Sequence, residues 1–118
     1  MAIVHTVMFS FKPLIPREEV DGVCERMLAL KDNCLHPQTN KPYVKMAMGG
    51  IDNSPEGMQE GITHVFVSEF ESDADRKYYL EEDKAHLAFV NSIEGIVEKA
   101  QVVDFSPGVF TEPHEHTN

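Results

Sequence analysis

Three histidines, His5, His64 and His86, stand in three separate segments of the chain, each beside apolar residues. An imidazole titrates near neutrality and can both take up and release a proton, so such a set suits general acid–base chemistry. Tyr79 precedes His86 by seven residues. A buried phenol beside an imidazole can stabilise a developing enolate or hand over a proton. Asp104 lies in an apolar stretch, where a carboxylate could orient a histidine and select its tautomer. Each residue also has a plainer reading. The histidines could be partly buried and bonded to backbone carbonyls, Tyr79 a cover for the core, and Asp104 the point where a strand emerges into water. Pattern alone leaves both readings open.

The elements that must position these side chains follow from hydrophobic periodicity. Ile3 to Phe11 alternates, with His5, Val7 and Phe9 on one face and Val4, Thr6 and Met8 on the other, which is a strand. Neither face is strongly polar, so both are expected to be covered. Pro16 opens a helix whose stripe runs through Val20, Val23, Cys24, Met27, Leu28 and Lys31. Cys34 to Pro42 reads as a loop, Tyr43 to Ile51 as a strand broken at Gly49-Gly50, and Asp52 to Gly61 as an exposed connection.

A strand from Ile62 to Phe70 places His64, Phe66, Ser68 and Phe70 on one face. Ser72 or Asp73 caps a helix to about Glu82, and Asp83 caps another from Lys84 to about Lys99. In an unbroken helix Tyr79 and His86 would share a face about 10 Å apart, whereas a break near Asp83 could set them on either side of a ligand. Ala100 to Phe105 is the last strand, and Thr111 to Asn118 a polar tail.

The order strand, helix, strand, strand, helices, strand predicts an α+β, ferredoxin-like βαββαβ fold with an antiparallel four-stranded sheet and helices on one face. Met8, Val65, Val67 and Val103 fall on the opposite face, which predicts a homodimer joined sheet to sheet. At 118 residues the chain fits one domain, and a 42% hydrophobic content supports a core. A net charge of -10 opposes nucleic acid and acidic membrane surfaces, and favours a neutral or weakly polar small molecule.

Cys24 and Cys34 are ten residues apart, about 15 Å along a helix, so both are read as reduced thiols, with Cys24 buried. No signal peptide or membrane-spanning run is recognised, which makes the cytosol the expected compartment. His114 and His116 in the tail could touch a metal, but two ligands on a tail do not make a site. No cofactor and no resident metal are expected, since zinc-spaced cysteines, a phosphate-cradling glycine loop and a nucleophile elbow are all missing from the sequence.

Four stretches together resemble a known family: HTVMFSFK from His5, GITHVFVSEFES from Gly61, YYLEEDKAHLAFV from Tyr78 and VVDFSPG from Val102. The chain from residue 2 to 108 is similar to the stress-responsive A/B barrel domain, Dabb. That resemblance implies ferredoxin-like chains that dimerise through their sheets into an α+β barrel. The family includes a plant polyketide cyclase that closes a linear tetraketide by aldol condensation. By resemblance its catalytic tyrosine and histidine fall on Tyr79 and His86, its other pocket histidines on His5 and His64, and its strand aspartate on Asp104.

The sequence departs from the family where a His-Pro pair is replaced by Asp83-Lys84. One extra residue also separates Tyr79 from His86, and without a gap Leu80 would take the tyrosine's place. The first expectation is therefore a cyclase or lyase acting on a hydrophobic or polyketide-like compound. His86 would be the base and Tyr79 the acid, with His5 and His64 as polar grips and Val7, Phe9, Phe66 and Phe89 as pocket walls. The alternative is a non-catalytic, stress-related dimeric barrel or ligand-binding module. A haem or metal protein is a third, weaker alternative, because no soft or carboxylate-rich set joins the histidines.

Overall fold

The computed structural model describes residues 2–111, so the His114 and His116 of the tail lie outside the described residues. Its elements run β1 (Ile3–Phe11), α1 (Arg17–Asn33), β2 (Ala47–Ile51), β3 (His64–Phe70), α2 (Asp73–Glu81), α3 (Lys84–Ile93) and β4 (Val97–Phe105). The strands form one sheet in the order β2-β3-β1-β4, and every neighbouring pair is antiparallel. The expected α+β architecture is the one observed. No helix among the described residues is long and apolar enough to cross a membrane.

Strand parity sorts the two sheet faces. Ile3, His5, Val7 and Phe9 of β1 join Phe66 and Phe70 of β3 under the helices, where Val23, Met27 and Leu30 of α1, Tyr79 of α2 and Phe89 of α3 complete the core. On the other face Thr6 pairs with Val67 and Val103, and Met8 with Val65, so the four residues expected there do share it. No element among the described residues covers that face: Met48, Val103 and Phe105 are about half exposed, at 56%, 50% and 51%.

Several boundaries differ from the expectation. The stripe of α1 is rotated: Val23, Met27 and Leu30 are buried, while Leu28 and Lys31 are exposed. Leu30 and then Cys34 continue the row begun by Val23 and Met27 at helical spacing, which turns that edge of the helix to the sheet. Cys34 is consequently the fully buried thiol and Cys24 the half-buried one, and neither is in a disulfide.

The last helix stops at Ile93 rather than near Lys99, because Gly95 adopts φ 90° and turns the chain out. Ile96 and Val97 therefore reach the core from the turn and β4, not from a helix. β2 is not broken at its glycines. Gly49 pairs with Phe66, and a methyl group at Gly49 would meet the Phe66 ring and stand 2.7 Å from the Val65 carbonyl oxygen. The glycine is there so that the phenylalanine can lie across the strand.

Gly49→Ala is expected to destabilise the fold by about 1–3 kcal/mol through that overpacking. Urea denaturation measures it, and an unchanged midpoint would contradict the contact.

Candidate active site

The site is built at one end of the sheet, where β1, β4, α2 and α3 meet. His5 and Asp104 are cross-strand partners of β1 and β4. Antiparallel pairing brings their side chains to the same face, and His5 Nδ1 lies 2.8 Å from Asp104 Oδ1. An ionised carboxylate can only accept, so the ring's Nδ1–H donates and Nε2 points away. The other Asp104 oxygen accepts from Arg76 Nη1 at 3.1 Å, and Arg76 Nη2 donates to Asp73 Oδ1 at 2.8 Å. The histidine is 2% exposed, its ring edge-on to Phe70 and Tyr79 at centroid separations of 5.5 and 5.8 Å.

Tyr79 and His86 are brought together by a break between α2 and α3. The amides of Glu82 and Asp83 both donate to the Tyr78 carbonyl, which closes α2. Asp83 then starts α3 as its N-cap, with Oδ1 accepting from the Ala85 and His86 amides at 3.0 and 3.3 Å. The chain folds back so that the His86 ring stacks on the Tyr79 ring, centroids 3.8 Å apart and planes inclined by 24°. His86 Nδ1–H donates to the Tyr79 carbonyl at 2.8 Å, which leaves Nε2 with its lone pair when the ring is neutral.

Burial pushes the His86 pKa below its ordinary 6.5, with His5 acting in the same direction, so the ring is neutral at pH 7. Burial, reinforced by Cys34 and Asp83, pushes the Tyr79 phenol up, so it keeps its proton. A neutral imidazole and a neutral phenol therefore lie face to face, one able to accept a proton and the other to donate one.

Tyr79, not Tyr78 or Leu80, is the inward residue: it is 2% exposed, Tyr78 is half-buried and Leu80 is 44% exposed. Among the described residues no hydrogen bond uses the Tyr79 hydroxyl. Beside Tyr79, a cavity of about 10 Å³, room for one water at most, lies between α1, β2 and β3. Phe66, Ser68 and Val44 are among its walls.

His5, Asp104, Tyr79 and His86 come together, but His64 does not join them. It pairs with Phe9, four residues along β1 from His5, which is about 14 Å. There it bonds Thr63 Oγ1 at 2.8 Å and meets the Phe11 ring edge-on at 5.1 Å, and burial lowers its pKa. Strand parity puts both histidines on the helix face but says nothing of distance along it. Val7, Phe9, Phe66 and Phe89 are all buried members of the core, and Phe89 also lines a cleft of about 400 Å³ between α1 and α3, on the side of Ala85 and Ala88. No group of three or more His, Cys, Asp and Glu residues among those described could hold a metal ion.

Two contributors escaped sequence reasoning. Arg76 had a readable sign, its i,i+3 spacing to Asp73 on a helix. Tyr43 had none: its hydroxyl donates to Asp83 Oδ2 at 2.5 Å across 40 residues of chain. Cys34 is completely buried beside the same aspartate, where burial and that charge push its thiol up to about 12 and make it inert.

A folded-state pKa below 6.5 at His86 means that the unfolded chain takes up the proton first as the pH falls. Stability is therefore fully present above 6.5 and is lost as the pH drops through the lower folded value, with His64 acting in the same sense. Denaturation midpoints are expected to fall between about pH 7 and pH 5, and less steeply in His86→Gln. Equal slopes in the two proteins would contradict the buried neutral imidazole.

The model of the family Dabb, "Stress responsive A/B Barrel Domain", matches residues 3–107. A stress-response A/B barrel domain-containing protein, HS1 of Arabidopsis thaliana, is 29% identical over 105 residues, 89% of each chain. The crystal structure of At3g17210 from Arabidopsis thaliana is similar with a TM-score of 0.77 at 27% identity, over 93% of this chain and 99% of that one. A hydroxynitrile lyase from Passiflora edulis shares the fold at a TM-score of 0.76 and 23% identity, over 93% and 97% of the two chains. A dimeric ferredoxin-like protein from Bacteroides fragilis shares it at 0.61 and 21%, over 88% and 94%. The fold, the residues matched and these relatives agree: the chain belongs to the stress-responsive A/B barrel domain family.

Proposed function

We propose that this chain is a dimeric acid–base enzyme of cyclase or lyase type, needing no cofactor and acting on a small, largely apolar carbonyl compound. The observation that carries this reading is the Tyr79–His86 stack, with the imidazole held through Nδ1 and the phenol unbonded among the described residues. His86 Nε2 would take a proton from the carbon next to the carbonyl. The electron pair left behind moves into the carbonyl oxygen, where the Tyr79 O–H donates a hydrogen bond. His5, oriented by Asp104, offers a second polar contact from the sheet. The enolate so formed can attack another carbonyl of the same molecule, or the reverse bond cleavage can run through it. A structural neighbour named as a hydroxynitrile lyase supports a small-molecule reaction on this fold. His64 has no part in the step.

A second reading, a barrel that binds or scaffolds without turnover, is favoured by the burial of Val7, Phe9 and Phe66 in the core and the one-water cavity beside Tyr79. Exchange of α-protons in D₂O, followed by NMR on a panel of small methyl ketones, separates the two. The enzyme reading expects protein-dependent exchange that His86→Ala reduces by about 10²–10⁴-fold with the fold retained. The scaffold reading expects no exchange with any ketone and only a lower melting temperature.

We infer the homodimer from the uncovered sheet face. Water-facing Met48, Val103 and Phe105, beside half-buried Met8, Val65 and Val67, form an apolar surface that a second copy would cover. Sedimentation is expected to give twice the 13.3 kDa chain mass for the wild type and the chain mass for Val67→Lys. A dimer that survives that lysine would place the interface elsewhere.

A further inference from the structure

We propose that Tyr43 is a positioning residue for the candidate site: through Asp83, its hydroxyl holds the first turn of α3 and thereby keeps the His86 ring on Tyr79. This rests on the acid–base reading for its functional meaning, but not for its test.

Tyr43 precedes β2, outside any helix or strand, between a backbone bridge at Pro42 and the Lys45 amide that donates to the Glu69 carbonyl. Its ring packs against Tyr78, Phe70 and His36 at centroid separations of 5.9, 6.4 and 6.0 Å. Tyr43 is 5% exposed and Asp83 is 3% exposed. A phenol and a carboxylate are buried at acceptable cost only when each satisfies the other. Here they do so, at 2.5 Å.

The two oxygens of Asp83 have separate tasks. Oδ1 holds the amides of Ala85 and His86, and Oδ2 holds Tyr43. Removing the hydroxyl takes the phenol donor from Oδ2 and leaves beside the buried carboxylate only the weak donor of the Cys34 thiol, which draws it toward water. The first turn of α3 is bonded to that carboxylate and moves with it. His86 lies in that turn, and its ring has one face on Tyr79. A contact about 40 residues away in sequence thus reaches the base through a single capping side chain.

The test reads ring geometry rather than turnover. Stacking over an aromatic face displaces the carbon-bound ring protons of His86 upfield in the NMR spectrum of the wild-type protein. Tyr43→Phe keeps the ring and deletes only the hydroxyl, and it is expected to lose most of that displacement while remaining folded. Asp83→Ser keeps a capping oxygen but cannot reach Tyr43, and the same loss is expected. Tyr78→Phe, which removes a neighbouring hydroxyl, should leave the His86 signals in place.

A lower melting temperature with unmoved His86 signals in the first two variants would reduce the pair to a stability contact and overturn the proposal. Failure of both to fold would do the same. If the signals move as stated in a chain that exchanges no ketone protons, the positioning stands and the enzyme reading fails. Exchange with unmoved signals means the reverse.

Discussion

The contact on which the site depends is the turn between α2 and α3, where one carbonyl, that of Tyr78, accepts two successive amides and Asp83 takes over as cap. A continuous helix would hold Tyr79 and His86 about two turns apart, roughly 10 Å along its axis. The turn replaces that separation with a ring stack of 3.8 Å. It is made possible by a buried carboxylate whose oxygens meet three donors, two amides and the Tyr43 phenol. A carboxylate so buried without those donors would cost several kcal/mol, so the turn, the cap and the stack stand or fall as a unit.

Two imidazoles flank Tyr79, and both are anchored through Nδ1, though by unlike acceptors. His5 is held by a carboxylate that is itself shared with Arg76, and His86 by a backbone carbonyl. Burial holds the His86 pKa down, and His5 is tied into a network that reaches the surface through Arg76 and Asp73.

Much of the fold was legible because period-two and period-3.6 patterns are local. Alternation in Ile3–Phe11 and His64–Phe70 named both central strands and both of their faces, including the one that no helix covers. Asp83 was readable as a cap from its type alone. What failed was whatever depends on rotation or distance rather than periodicity. Periodicity alone misplaces the α1 stripe, because Val20, Cys24 and Leu28 are as apolar as Leu30 and Cys34, and only packing on the sheet decides between those edges. Gly95 is not legible as a helix stop, because Ile96 and Val97 extend an apolar pattern that either a helix or a strand could use. Face alone groups His64 with His5, whereas pairing with Phe9 sets it at the far end of the strand. Tyr43 could not be found at all, since a partner 40 residues away leaves no spacing to recognise.

The central claim is that His86 is a neutral ring whose proton sits on Nδ1 and whose Nε2 is free to act. A nitrogen-15 NMR spectrum of the histidine rings, recorded just above neutral pH and assigned with a His86 substitution, tests it directly. The account predicts a protonated Nδ1 and a bare, pyridine-like Nε2 for His86, the reverse of the tautomer that histidine favours in water. A proton on Nε2, or a ring charged at that pH, would contradict it.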